Sequence, residues 1–385
     1  MRFRLPVLLW LLLASGLEAP AQTPLPALPP PRFDYYSRPG PRHWRGTIGQ
    51  QAVTLELDSG RWGYHGQYYY DRRGQILFLS QDSDKAKKGA QIQLVETDDF
   101  KATGSFRLNG PLRAQLSGTW RSPDGRRTLP VALHETYTDA LAYDEETWEV
   151  RHFFRDDFYD STRLDSAELR QYYLQFRPPL AATRPLQVAL GLPTPPPRMN
   201  RYLDSLLRAR RNGQPDFFFN GDIYVVYNSN HLFSVVQPRR FTAAEEDGGM
   251  NMHEWSQCGT YDLRTGVRLT LADILVPGYG PQLRRALLQD LKSVWGSAHY
   301  GNSHYESVGT NGKLPASGFL VTGTGLRFSY DDRDEESLGF PGPYHADREI
   351  EIEIPYEALL PILRPTGPLA ALLQERHLLP GKANH

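Results

Sequence analysis

From His43 to Tyr137 the chain alternates apolar and polar residues in short runs cut by turn residues, and this pattern limits the fold more than any other feature. The runs HWRGTI, AVTLEL, GQYYY, ILFLS, QIQLVE, GSFRL, LSGTW and LPVALHE are too short for self-standing helices. Period-two alternation sends successive side chains to opposite faces of a sheet. Seven or eight such runs at the spacing of a meander predict a small antiparallel barrel or sandwich over residues 43–137. Asp71-Arg72-Arg73-Gly74 and Ser122-Pro123-Asp124-Gly125 read as its turns, because proline presets the first central position and glycine accepts left-handed backbone. Three glycines stand two positions before a ring, in Gly66-Gln67-Tyr68, Gly104-Ser105-Phe106 and Gly118-Thr119-Trp120. Two readings stand: the rings fill the interior, or they rim an open mouth that carries a small flat ligand.

The start, MRFRLPVLLWLLLASGLEAPAQ, sets Arg2 and Arg4 before an apolar run and ends in small residues, which predicts a signal peptide over residues 1–21 and export to the periplasm or medium. Its apolar run is shorter than the roughly 20 residues of a membrane span, and no other run is longer, so no transmembrane segment is expected. Residues 22–42, rich in proline, read as a tether. Lys+Arg at 43 against Asp+Glu at 44 gives a net charge of -1, which argues against a nucleic-acid partner. The single cysteine, Cys258, excludes an intramolecular disulfide and a multi-cysteine zinc site.

Residues 138–197 read as a connecting segment. Asp165-Ser166-Ala167-Glu168 before LRQYYLQF has the form of a capping box and predicts a short helix. A proline-rich lead, LPTPPP, then opens a domain over residues 198–379. Met199–Arg211 carries apolar residues at helical spacing, with arginines at its end. Asp222–Leu275 reads as paired strands, turning at Asn228-Ser229-Asn230 and at Arg264-Thr265-Gly266, around a loop from Thr242 to Gln257. Pro281–Trp295 has leucines every fourth residue and predicts a helix lying across that sheet. Phe319–Val321 and Leu326–Tyr330 read as a hairpin, Arg348–Ile354 as a strand with one wet face, and Tyr356–Leu363 and Leu369–His377 as helical segments. The fold class expected is α+β: a small antiparallel barrel or sandwich followed by an antiparallel sheet covered by helices.

NHLFSVV, TYDLRTGVRLTLADIL, FLVTGTGLRFSYDD and EIEIPYEALLPIL, in that order, resemble the secreted domain of the RsiV-like family, which also occurs beside peptidoglycan deacetylase domains. The first domain is similar to a β-rich module of exported bacterial proteins. The resemblance implies a domain that binds a partner and has no known catalytic centre; in anti-sigma members that partner is lysozyme. This chain lacks the membrane span and sigma-binding segment of those members, so anti-sigma activity is not implied. It also reads Gly248-Gly249-Met250-Asn251-Met252-His253 where the family has a Gly-Gly-Ala-His loop.

No catalytic residue, cofactor or metal is assigned from the sequence. Met252, His253 and Trp255, in the Thr242–Gln257 loop, are candidate ligand contacts. His299, Tyr300, His304 and Tyr305 form a second candidate set: the loop reads as a solvent-exposed insertion, as a tyrosine-rich protein contact, or as two histidines with Glu306 as donors for zinc. His253, Cys258 and Asp262 contain the groups of a nucleophilic triad, against a buried Cys258 in a strand. Asp331 to Glu336 is rich in acids but lacks the glycine and closing glutamate of a calcium loop. The function expected is an exported, non-enzymatic envelope protein binding a lysozyme-like protein or cell-wall glycan. The alternatives are a cell-wall polysaccharide hydrolase using Asp222 and Asp262, and a small-ligand carrier through the barrel. The oligomeric state is left open.

Overall fold

Closure of the alternating region follows from its first strand pairing with both its neighbour and its last strand. A computed structural model of the chain describes residues 32–60, 63–81, 91–98, 101–156, 160–177, 183–190, 217–244, 250–296, 318–330 and 350–379, with Ala27, Pro29, Pro30 and Leu314 besides. Strands β2 (Arg42–Ile48), β3 (Gln51–Gly60), β4 (Gly63–Tyr70), β5 (Leu77–Gln81), β6 (Gln91–Asp98), β7 (Lys101–Asn109), β8 (Gln115–Arg121) and β9 (Thr128–Glu135) form an antiparallel barrel. It closes because Trp44–Ile48 pair with β3 on one side and β9 on the other.

Its interior holds Trp44, Val53, Leu55, Leu57, Tyr68, Leu94, Phe106, Leu108 and Leu116, each buried. Burying one such side chain contributes about 1.5–3 kcal/mol. Tyr68 and Phe106 are 0% and 1% exposed, their rings meeting edge-on at 5.3 Å. These rings therefore fill the barrel, and the open-mouthed carrier is corrected: a small barrel needs large side chains to fill its bore. Trp120 lies half-buried, and its indole N–H donates to Glu96 at 2.6 Å, as does the Tyr68 hydroxyl. Gly104 leaves room for that indole; a Cβ there would sit 2.5 Å from its nitrogen.

Two segments depart from expectation. Part of the proline-rich tether, Arg32–Pro39, is strand β1, paired along its length with β10 (Ala142–Asp156). Proline sits at its last position, where a missing donor interrupts nothing further. Asp160–Arg177, expected to carry a helix, is instead β11, an antiparallel partner of β10. Glu168, the acid of the apparent capping box, pairs across the strands with Arg151 at 2.7 Å, while Arg170 pairs with Glu149 at 3.0 Å. Cross-strand pairing over the whole run outweighs a local cap worth about 1 kcal/mol.

These strands continue into the sheet β1-β10-β11-β12-β14-β15-β16, with β12 (Phe217–Gly221), β14 (Leu232–Ala244), β15 (Met250–Asp262) and β16 (Val267–Arg268), and β13 (Tyr224–Ser229) also on β14. The turn between β13 and β14 is Asn230-His231, both with positive φ, as a type I′ hairpin requires. It falls beyond Asn228 and Ser229, which belong to the strand. Leu232 and Phe233 alternate into two different cores, so this strand is covered on both faces. Helix α1 (Thr183–Leu190) buries Leu186 and Leu190 against one face.

A second sheet joins β17 (Phe319–Val321), β18 (Gly325–Tyr330) and β19 (Ile350–Pro355). Helices α2 (Leu271–Ile274), α3 (Gly280–Gly296), α4 (Tyr356–Leu359) and α5 (Ala370–Glu375) complete the described elements. α3 has the predicted bounds within a residue and buries Leu283 and Leu287. It packs against β19 and α4 rather than across the sheet of β13 to β16. Among the described residues, strand at 58% against helix at 14% makes the fold mostly β, so the α+β expectation holds only with few helices. The predicted helix at Met199–Arg211 lies outside the described residues, and among them no helix is long and apolar enough to cross a membrane.

Candidate functional site

The turn after β4 and the end of α5 meet in a cleft of about 730 Å³, lined by Gln50, Gln51, Ala52, Tyr70, Asp71, Arg72, Arg73, Glu375, Arg376 and His377. The volume suits a small ligand. The barrel side is the predicted Asp71-Arg72-Arg73-Gly74 turn. Arg73 and Gly74 donate their backbone N–H to the Tyr70 carbonyl, and Gly74 takes φ +74°. The other side is a helix cap. His377 N–H donates to the Gln374 carbonyl and Leu378 N–H to the Leu373 carbonyl, the two bonds of a Schellman motif. His377 occupies its left-handed position, φ 59°, where glycine is usual.

Between these walls runs a buried polar network. Glu375 accepts from Arg45 at 3.0 Å, from Asn230 at 3.0 Å and from Arg376 at 2.6 Å. Arg45 also reaches Ser229 at 2.8 Å and Asp139 at 3.2 Å. Arg376 is 6% exposed; it donates to the Gly323 carbonyl at 2.9 Å and to the Asp71 carbonyl, and its guanidinium lies 5.1 Å over the Tyr69 ring. Tyr69 leaves the outside of the barrel to stack on Tyr227 and join the C-terminal core. Gly74 and Gly323 touch backbone to backbone, a Cβ on either falling within 2.1 Å of the other's carbonyl oxygen. Removing one partner from such a buried charge network leaves others uncompensated, which is far costlier than losing a surface pair.

Electrostatics follow from this burial. The Asp71 carboxyl is pushed up to about 6 by burial and by the nearby Glu375, against the Thr54 hydroxyl at 2.8 Å, Arg45 and Arg376. Burial and Glu375 likewise raise the Tyr69 phenol. A carboxyl that titrates near neutrality in a cleft marks a candidate site.

The sequence-based candidates lie elsewhere. Met252, His253 and Trp255, expected in a loop, are on β15, their backbones paired with Thr242, Phe241 and Arg239. The expected loop is thus largely two strand arms, because the β14–β15 ladder runs on to Ala244 and Met250. His299, Tyr300, His304 and Tyr305 lie outside the described residues, as does Asp331 to Glu336. His253 and Cys258 are five residues apart on one unbroken strand, their backbones about 17 Å from each other. They form no nucleophile and base, and Cys258 is 1% exposed. Asp262 pairs with Leu232, while the Asp222 N–H donates to the Pro238 carbonyl, six residues farther along β14. That separation, about 20 Å, is beyond the roughly 9.5 Å of the widest glycosidase acid pair. Asp262 is further occupied by Arg264 at 2.8 Å; burial pulls its carboxyl up, but the Arg264 bonds hold it below the usual range. The hydrolase pair is therefore corrected.

No family model and no curated protein matches the chain. Two solved structures similar to it are DUF3298 proteins. One is a DUF3298 member from Bacteroides fragilis, at 17% identity, covering 62% of this chain and all of its own, with a TM-score of 0.46. Another, from Pseudomonas aeruginosa PAO1, has 17% identity, covers 57% of this chain and 94% of its own, and gives a TM-score of 0.40. That family is uncharacterised, so the likeness brings no activity to the cleft.

Proposed function

We propose that this chain is an exported binding protein that takes its ligand in the cleft between the barrel turn Tyr70–Arg73 and the α5 end Glu375–His377. The observation that carries the reading is the cleft's construction: residues from both ends of the chain meet there, fixed by a network anchored on Arg45, Glu375 and Arg376. Rigidly held polar groups around a concavity bind with little ordering cost. Export rests on the N-terminal residues 1–21, and the partner class, a lysozyme-like protein or cell-wall glycan, on the RsiV-like motifs of residues 198–379.

The test is titration of the full chain with lysozyme and with soluble cell-wall glycan fragments, followed by calorimetry, for the wild type and for Arg72→Ala/Arg73→Ala. Binding of one of them, weakened by the double substitution, supports the reading. No binding, or binding indifferent to the substitution, moves the function away from the cleft.

A further inference from the structure

The cleft's lining is selective in its chemistry. Arg72 and Arg73 stand exposed side by side on the turn, and the charge of Arg73 extends to the half-buried Tyr70 at its base. Arg376, more than nine-tenths buried, lines the same cleft, and its enclosed Nη2 has no hydrogen-bond partner among the described residues. A buried guanidinium nitrogen without an acceptor is expensive, and arginines in a cluster match the paired oxygens of an oxyanion. The acids present offset this positive charge only in part. Glu375 is occupied by Arg45, Asn230 and Arg376, and Asp71 by the Thr54 hydroxyl.

Two features narrow the anion. Asp71 and Glu375 at the base repel a doubly charged phosphate more than a singly charged carboxylate. Gln50, Gln51 and Asp71 add donors and acceptors suited to hydroxyl groups. From this we infer that the cleft binds an acidic sugar, its carboxylate on the arginines and its hydroxyls on the amide and carboxyl wall. The inference rests on the cleft being the binding site proposed above, and it adds the ligand's charge and carrier.

The experiment titrates the full chain with D-glucuronate, D-glucose, inorganic phosphate and a short glutamate-rich peptide, at low and at moderate salt. Glucuronate is expected to bind more tightly than the other three, and more weakly as salt rises. Arg72→Ala/Arg73→Ala, both on exposed positions and expected to melt like the wild type, should weaken glucuronate by roughly tenfold or more. Glucose binding as tightly as glucuronate would overturn the anion inference while leaving the cleft a binding site. Phosphate or the peptide binding more tightly would overturn the acidic-sugar class. No binding by any of the four would overturn the acidic-sugar inference alone; the reading beneath it falls only if lysozyme and the wall-glycan fragments also fail to bind.

Discussion

The barrel interior and the junction beside it are built on opposite principles. Inside the barrel, Trp44, Leu55, Phe106 and Leu116 exclude water, and the polar exception, Glu96, is held by Tyr68 and Trp120. At the junction, Asp71, Glu375 and Arg376 bring charge to a partly buried cleft, with Arg45 and Asn230 holding Glu375 from behind. A filled core stabilises through apolar area and has no room for a ligand. A networked junction contributes less net stability for the groups it buries, but it presents fixed polar atoms to a concavity. The proposed binding site accordingly lies at the seam between the two parts.

Predictions can strain each side separately. The largest effect is expected in the barrel: Phe106→Ala should cost about 4 kcal/mol in denaturant melts, as emptying a packed core does. A loss below about 1 kcal/mol would mean that the barrel is not filled as described. At the junction, Gly74→Ala forces a Cβ to 1.9 Å from the Gly323 oxygen at positive φ. A cost of about 3 kcal/mol follows from strain and overpacking. Hydrogen exchange should then quicken at both Tyr70–Gly74 and Thr322–Gly325; quickening at the first alone would separate the two parts.

Asp71 gives the comparison a pH signature. Its carboxyl titrates near 6 in the folded chain and near 4 when unfolded, so the folded state binds the proton more tightly. Its contribution is therefore most favourable below about pH 4 and is lost as pH rises through about 6. Asp71→Asn should stabilise the chain by about 2 kcal/mol at pH 8 and flatten the slope of stability between pH 4 and 6. An unchanged slope would show that water reaches this carboxyl freely. The smallest effect is at the cap: His377→Gly relieves left-handed backbone and should raise stability by about 1 kcal/mol or less, measured by melts at one pH.

Legibility in the sequence divides along the same seam. Alternation in QIQLVE and GSFRL announced β6 and β7, because burial on one face repeats every second residue. The Asp71–Gly74 turn was legible from its glycine. β11 was not, since Asp165 and Glu168 imitate a helix cap and only the partner strand β10 reveals the competing pairing. Nor was the cleft: Arg45 and Glu375 lie at opposite ends of the chain, and no local pattern announces a contact that topology alone creates. Met252, His253 and Trp255 stood out because their loop departs from the pattern of the family it resembles, which is a weaker signal than convergence in space.

The most direct test of the central claim is residue-resolved mapping of ligand contact. Amide chemical shifts of the full chain, recorded while D-glucuronate is added, should move at Gln50–Ala52, Tyr70–Arg73 and Glu375–His377 and stay fixed along β15. Shifts centred on Met252–Trp255, with the junction unmoved, would contradict the account and return the site to the hairpin.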